Sequence, residues 1–141
     1  MIVVDASVAA KWVLPEAHDQ AALRLRDYSD LLIAPNIARL EVASAITRRH
    51  RTAHFSEGDV RGALEQWQNL LAKGALHLVA MDELLASAVD LALAIRHPLP
   101  DCLYLALAKR FDCPLVTADR TLIERGAAAH AKLRLLDEWP G

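Results

Sequence analysis

The sequence predicts an α/β fold in which a parallel central sheet of about five strands is covered on both faces by helices. Two observations predict it. Short β-type runs alternate with helical stretches along the chain, the order that strand-helix-strand units impose. The composition is that of a folded domain: 54% hydrophobic and 24% charged residues with five glycines and six prolines, which excludes disorder and low complexity. At 141 residues the chain can build one sizeable core and not two, so residues 1–141 are read as a single domain.

Strands are expected at Ile2–Val4, Leu32–Ala34, His77–Ala80, Leu115–Thr117 and Leu133–Leu136. Two helices follow the second strand. The first runs from about Ile37 to Arg49. The second covers residues 56 to 72, where Ser56 with Asp59 resembles a capping box and Val60, Leu64, Trp67 and Leu71 form a core stripe. Two more helices separate the third and fourth strands. Residues 83 to 96 are apolar nearly all round, which suits a helix buried against sheet and neighbours or against a second subunit. Pro98 and Pro100 are expected to forbid helix, with a fresh start at Asp101 and a helix over Cys102–Arg110. Gly126 is placed to stop a short helix after Asp119.

The 16 basic and 18 acidic residues leave a net charge of -2, so any contact with nucleic acid must come from a local patch. Cys102 and Cys113 are too few for a disulfide framework or a four-cysteine zinc site, which points to a reducing, cytoplasmic setting. No apolar run approaches the roughly 20 residues of a membrane span, and the N-terminus lacks the basic start of an export signal. A membrane role is not expected.

Four acids stand out by position. Asp5 ends the first strand and Asp119 follows the fourth, so both fall at the carboxyl edge of a parallel sheet, where open α/β folds hold their ligands. Asp101 opens the helix that leads into the fourth strand. Glu41 lies on a helix face made of Ile37, Ala38, Ser44 and Ala45, which offers no cation. Burying an unpaired carboxylate costs several kcal/mol, so something positive should meet it. If all four converge, each pair about 4 Å apart repels by roughly 4 kcal/mol at an effective dielectric of about 20. A divalent cation removes the conflict. Donors that are all oxygen fit Mg²⁺ or Mn²⁺ better than zinc. Taken singly, Asp5, Asp101 and Asp119 also read as helix caps, and Glu41 as half of a buried ion pair.

Four segments together carry a family resemblance: Ile2-Val3-Val4-Asp5-Ala6-Ser7-Val8, Pro35 to Ala43 around Glu41, Pro100-Asp101-Cys102-Leu103-Tyr104 to Ala108, and Leu115-Val116-Thr117-Ala118-Asp119. In order and spacing they resemble the motifs of PIN-domain ribonucleases of the VapC toxin type, over essentially the whole chain. The resemblance implies a three-layer α/β/α sandwich and a metal-dependent endoribonuclease acting on single-stranded RNA. It implies that Asp5, Glu41, Asp101 and Asp119 hold Mg²⁺ or Mn²⁺, with Ser7 and Thr117 as supporting hydroxyls. It further implies a VapB-type antitoxin whose C-terminal segment covers the acids, and a homodimer. One departure is Ser44, where family members often carry Asn.

A divalent ion held by such acids activates water for in-line attack on phosphorus and offsets the growing charge, so products should carry 5′-phosphate and 3′-hydroxyl ends. Arg48, Arg49 and Arg51 beside His50 make a basic strip that could guide RNA, or that could simply favour the helix C-terminus. Lys11 and Arg120 are further candidates for phosphate contact. His50 and His54 have helical metal-ligand spacing without a third ligand, and read as a surface pair. Trp12, Trp67 and Trp139 read mainly as packing. Cys102 lacks a basic partner and is a poor nucleophile.

Two rivals remain. A phosphatase of the haloacid-dehalogenase type needs a second Asp two residues after the nucleophile, where this chain has Ser7. A catalytically silent PIN-like scaffold binding RNA or protein could relieve the acids' repulsion by losing one of them, and this chain has all four.

Overall fold

A computed structural model describes residues 1–14, 19–28 and 30–140. Its five strands are β1 (Ile2–Val4), β2 (Leu32–Pro35), β3 (His77–Val79), β4 (Leu115–Thr117) and β5 (Leu133–Leu135). All adjacent pairs are parallel, in the order β3-β2-β1-β4-β5. The helices are α1 (Ala6–Ala9), α2 (Gln20–Arg26), α3 (Ala38–Thr52), α4 (Glu57–Ala72), α5 (Leu85–Ile95), α6 (Leu99–Phe111) and α7 (Arg120–Gly126). The architecture is the expected three-layer α/β/α sandwich.

The strand order reverses at β1 and β4. Chain leaving β1 for α1 and chain leaving β4 for α7 therefore diverge from adjacent strands, and the crevice between them is the fold's natural ligand position. Every residue of β1 and β4 is buried, so these short strands are held by apolar contact on both faces.

Helix α6 is the central buttress. Cys102 through Ala108 are all buried, and the helix packs against β1, β2 and β4. Its start corrects the expected boundary. The prolines do not delay the helix to Asp101: α6 begins at Leu99 with Pro100 in its first turn, where a missing N–H costs nothing because no carbonyl of the preceding turn awaits it. Helix α4 carries the expected capping box, with Ser56 Oγ accepting from the Asp59 N–H and Asp59 Oδ2 accepting from the Ser56 N–H. Trp67 on its stripe is buried, while Val60, Leu64 and Leu71 are half-buried against the core.

Helix α5 differs from the expectation of burial within the chain. Its principal neighbour is α6 rather than the sheet, so it forms an outer layer in which Ala88 is the buried residue. Leu85, Val89 and Leu93, spaced four apart on one face, are exposed. Trp12 is buried and Trp139 half-buried, in keeping with packing roles. Among the described residues no helix is long and apolar enough to cross a membrane.

Candidate active site

The carboxyl ends of β1 and β4 are joined side by side by a bond from the Asp5 N–H to the Val116 carbonyl, 3.0 Å. That register brings the side chain of Asp5 to Thr117. Thr117 Oγ1 donates to Asp5 Oδ2 at 2.8 Å, and Ser7 Oγ donates to the same oxygen at 2.6 Å. Each hydroxyl is oriented in turn by backbone: Ser7 Oγ accepts from the Ala118 N–H at 3.1 Å and Thr117 Oγ1 from the Asp119 N–H at 3.0 Å. The two supporting hydroxyls expected from the sequence thus lock one oxygen of a carboxylate that is only 4% exposed.

Asp119 caps α7, its Oδ1 accepting from the N–H groups of Thr121 and Leu122 at 2.9 and 3.3 Å. Capping therefore holds for this acid, and these bonds occupy one oxygen. Asp5 stands at the N-cap of α1 without a side-chain capping bond, and Asp101 lies inside the first turn of α6. Capping does not account for either. Asp101 reaches Asp119: together with His97 they offer ligand atoms that all lie within 4.8 Å of one another. Among the described residues the side chain that meets Glu41 is a neutral donor. The Tyr104 hydroxyl donates to Glu41 Oε1 at 2.7 Å.

The electrostatics show that the acids feel one another. Burial pushes the Asp5 carboxyl up to about 6; the hydroxyls of Ser7 and Thr117 oppose this, while the charges of Asp101 and Glu41 add to it. Glu41 is likewise raised, chiefly by burial and further by Asp101, against the Tyr104 bond. Burial, followed by the charges of Glu41 and Asp5, holds the Tyr104 phenol protonated far beyond its usual range. Asp5, Glu41 and Asp101 thus form one interacting cluster, and Asp101 joins it to Asp119. The donors are carboxylate oxygens crowded at one rim, a set suited to a hard divalent cation.

The remaining candidates are spread over α3, α6, α7 and the segment after α1. Lys11 Nζ is 2.9 Å from Asp19 Oδ2, so its ammonium already has a carboxylate partner. Arg48, two helical turns beyond Glu41, falls on the same side of α3; it and Arg51 are exposed and Arg49 is half-buried. Arg120, the first residue of α7, is exposed beside Asp119. His50 Nδ1 faces the Phe55 carbonyl at 2.5 Å, which leaves the His50 and His54 pair as a helix-end feature. Burial and Asp101 both raise the Cys102 thiol, so it stays protonated and inert.

Two residues at the site escaped the sequence reading. Tyr104 lies three positions after Asp101, hence on its face of α6, and His97 lies four before it. Helical spacing from Asp101 was the available signal for Tyr104; His97 precedes α6, and its contact follows from the turn between α5 and α6.

Comparison with known proteins shows the family and the fold. Residues 2–128 match the family model of the PIN domain. Ribonuclease VapC3 of Pyrobaculum aerophilum is 31% identical over 124 residues, covering 88% of this chain and 93% of its own. Ribonuclease VapC9 of Mycobacterium tuberculosis is 28% identical over 128 residues, covering 91% of this chain and 93% of its own. A chain from a toxin-antitoxin complex of Klebsiella pneumoniae shares the fold, with a TM-score of 0.67 at 16% identity, covering 96% of this chain and 98% of that one.

Proposed function

Because this chain belongs to the PIN-domain family, we propose that it is an endoribonuclease dependent on a divalent metal, Mg²⁺ or Mn²⁺, that cuts single-stranded RNA as the toxin of a toxin-antitoxin pair. The observation that carries the reading is the convergence of the acids: burial and the charge of Asp101 both raise Asp5 and Glu41, and Asp119 is reached through Asp101. Acids so placed oppose one another's ionisation, and a doubly charged ion is the simplest group that relieves them.

Asp5, Glu41, Asp101 and Asp119 would hold the ion. When bound it supplies a water nucleophile at neutral pH and neutralises charge on the phosphate under attack. The chain's own residues prepare that chemistry. Ser7 and Thr117 fix one oxygen of Asp5, the α7 N–H groups fix one oxygen of Asp119, and Tyr104 fixes one oxygen of Glu41. The carboxylates are thereby oriented before any ion arrives, which lowers the ordering cost of binding.

Arg48, Arg49, Arg51 and Arg120 are the proposed phosphate contacts for the RNA strand, and Lys11, engaged by Asp19, ranks below them. The exposed stripe of Leu85, Val89 and Leu93 on α5 supports a homodimer through that face. A VapB-type antitoxin would silence the enzyme by laying its C-terminal segment over the acids.

The test is cleavage of mixed single-stranded RNA with Mg²⁺ or Mn²⁺ by the wild-type protein beside Asp5→Asn. The proposal expects cutting by the former, loss of at least about a hundredfold in the latter, and 5′-phosphate ends on the products. Equal cutting by both proteins, cutting by neither, or cyclic phosphate ends would overturn it.

A further inference from the structure

Asp101 is met by a buried imidazole. His97 Nε2 lies 2.6 Å from Asp101 Oδ2, and only 3% of the histidine side chain is exposed. The ring's other nitrogen, Nδ1, is buried and has no hydrogen-bond partner among the described residues. The imidazole is therefore tied into polar structure at one corner, and that corner faces Asp101.

The local sequence prepares this contact. Asp101 is the third residue of α6, where an acid's usual partner is the N–H of the capping residue. Here the capping residue is Pro98, which has none, and Pro100 removes a second donor of the same turn. The carboxylate is released from capping and His97 takes it. The preceding residue, Arg96, adopts the left-handed conformation at φ 54° and ψ 50°, which is unfavourable for any residue with a Cβ. It is held there from α7, the helix that Asp119 caps: Arg125 donates to the Arg96 carbonyl at 2.8 Å. The Cys102 thiol donates to the His97 backbone carbonyl at 3.9 Å.

The separation is that of a hydrogen-bonded pair. Two ligand atoms bound side by side to a small octahedral cation at about 2.1 Å stand about 3 Å apart. Nε2 and Oδ2 are closer than that, as donor and acceptor sharing a proton are. With the proton on Nε2, the orphan Nδ1 is a bare acceptor rather than a buried N–H.

We infer that His97 is a positioning residue, whose Nε2–H engages Asp101 Oδ2 and so leaves Oδ1 for the divalent ion. This rests on the metal-site reading above. An outer partner of this kind governs how well the carboxylate is aimed, and its loss weakens metal affinity by about 10- to 100-fold in comparable sites.

The test is Mn²⁺ titration calorimetry on the full chain, with metal-free thermal midpoints measured alongside, for His97→Gln, His97→Asn, His97→Leu and Asp101→Asn. Glutamine carries an N–H at the reach of Nε2, whereas asparagine's falls short at the position of Nδ1. His97→Gln should bind within about threefold of wild type, and His97→Leu and His97→Asn at least about tenfold more weakly. A merely structural histidine would not separate Gln from Asn in metal affinity. Wild-type affinity in His97→Leu, or equal affinities in His97→Gln and His97→Asn should the leucine variant not fold, would overturn the inference alone. Wild-type affinity in Asp101→Asn would overturn the metal-site reading and this inference with it.

Discussion

The Tyr104 hydroxyl donates to Glu41 Oε1 at 2.7 Å, across 63 positions of sequence, and joins the central helix α6 to α3 inside the acidic rim. A neutral donor satisfies one glutamate oxygen without cancelling its charge. The negative potential of the cluster is thus kept for an ion instead of being spent on an internal lysine or arginine.

Tyr104→Phe keeps the buried ring and removes that donor. Stability should fall by about 1.5–3 kcal/mol, the range for one hydrogen bond to a charged acceptor, and Mn²⁺ affinity by about tenfold. Urea denaturation and calorimetry check the two effects separately.

Proton and metal compete for Asp5. Its carboxyl is raised to about 6 in the folded protein, first by burial, against about 3.9 in an unfolded chain. The folded state therefore holds the proton more tightly. The stability this gives is fully present below about pH 4 and is lost as pH rises through about 6, a change on the order of 3 kcal/mol. Glu41, also raised, acts in the same sense. The metal-free thermal midpoint of wild type should fall between about pH 4.5 and 7 relative to Asp5→Asn. Mn²⁺ should raise the midpoint far more at about pH 7 than at about pH 5. A metal-free difference that does not change with pH would show that Asp5 ionises without cost.

Ser56→Ala removes half of the α4 capping box, remote from the acids. A loss of about 1 kcal/mol, or roughly 3–5 °C in thermal midpoint, is expected with unchanged Mn²⁺ affinity. This separates general destabilisation from damage to the site.

The sheet was legible because short β-type runs alternate with helical stretches along the chain, and because Asp5 follows β1 directly and Asp119 lies just beyond β4. The capping box at Ser56 was legible because it is local. What needed the structure was non-local or depended on a neighbour. The exposure of Leu93 follows from α5 packing on α6, which no window of sequence encodes. The early start of α6 depends on tolerance of proline in a first turn, where the same residue elsewhere would break a helix. The partner of Glu41 is a tyrosine hydroxyl from another helix, and a search for positive charge passes over it.

Leu93 is 76% exposed on the outer face of α5. Leu93→Glu should change monomer stability by no more than about 0.5 kcal/mol and shift sedimentation from dimer to monomer. Sedimentation at matched concentrations, unchanged between the two proteins, would remove α5 from the dimer interface.

Anomalous diffraction from crystals soaked in Mn²⁺ tests the central claim most directly. An anomalous peak is expected at bonding distance, about 2.0–2.6 Å, from carboxylate oxygens of Asp5 and Asp101, with Glu41 and Asp119 facing the same ion directly or through water. A bound ion remote from residue 5, or fully occupied crystals with no peak among these acids, would contradict it.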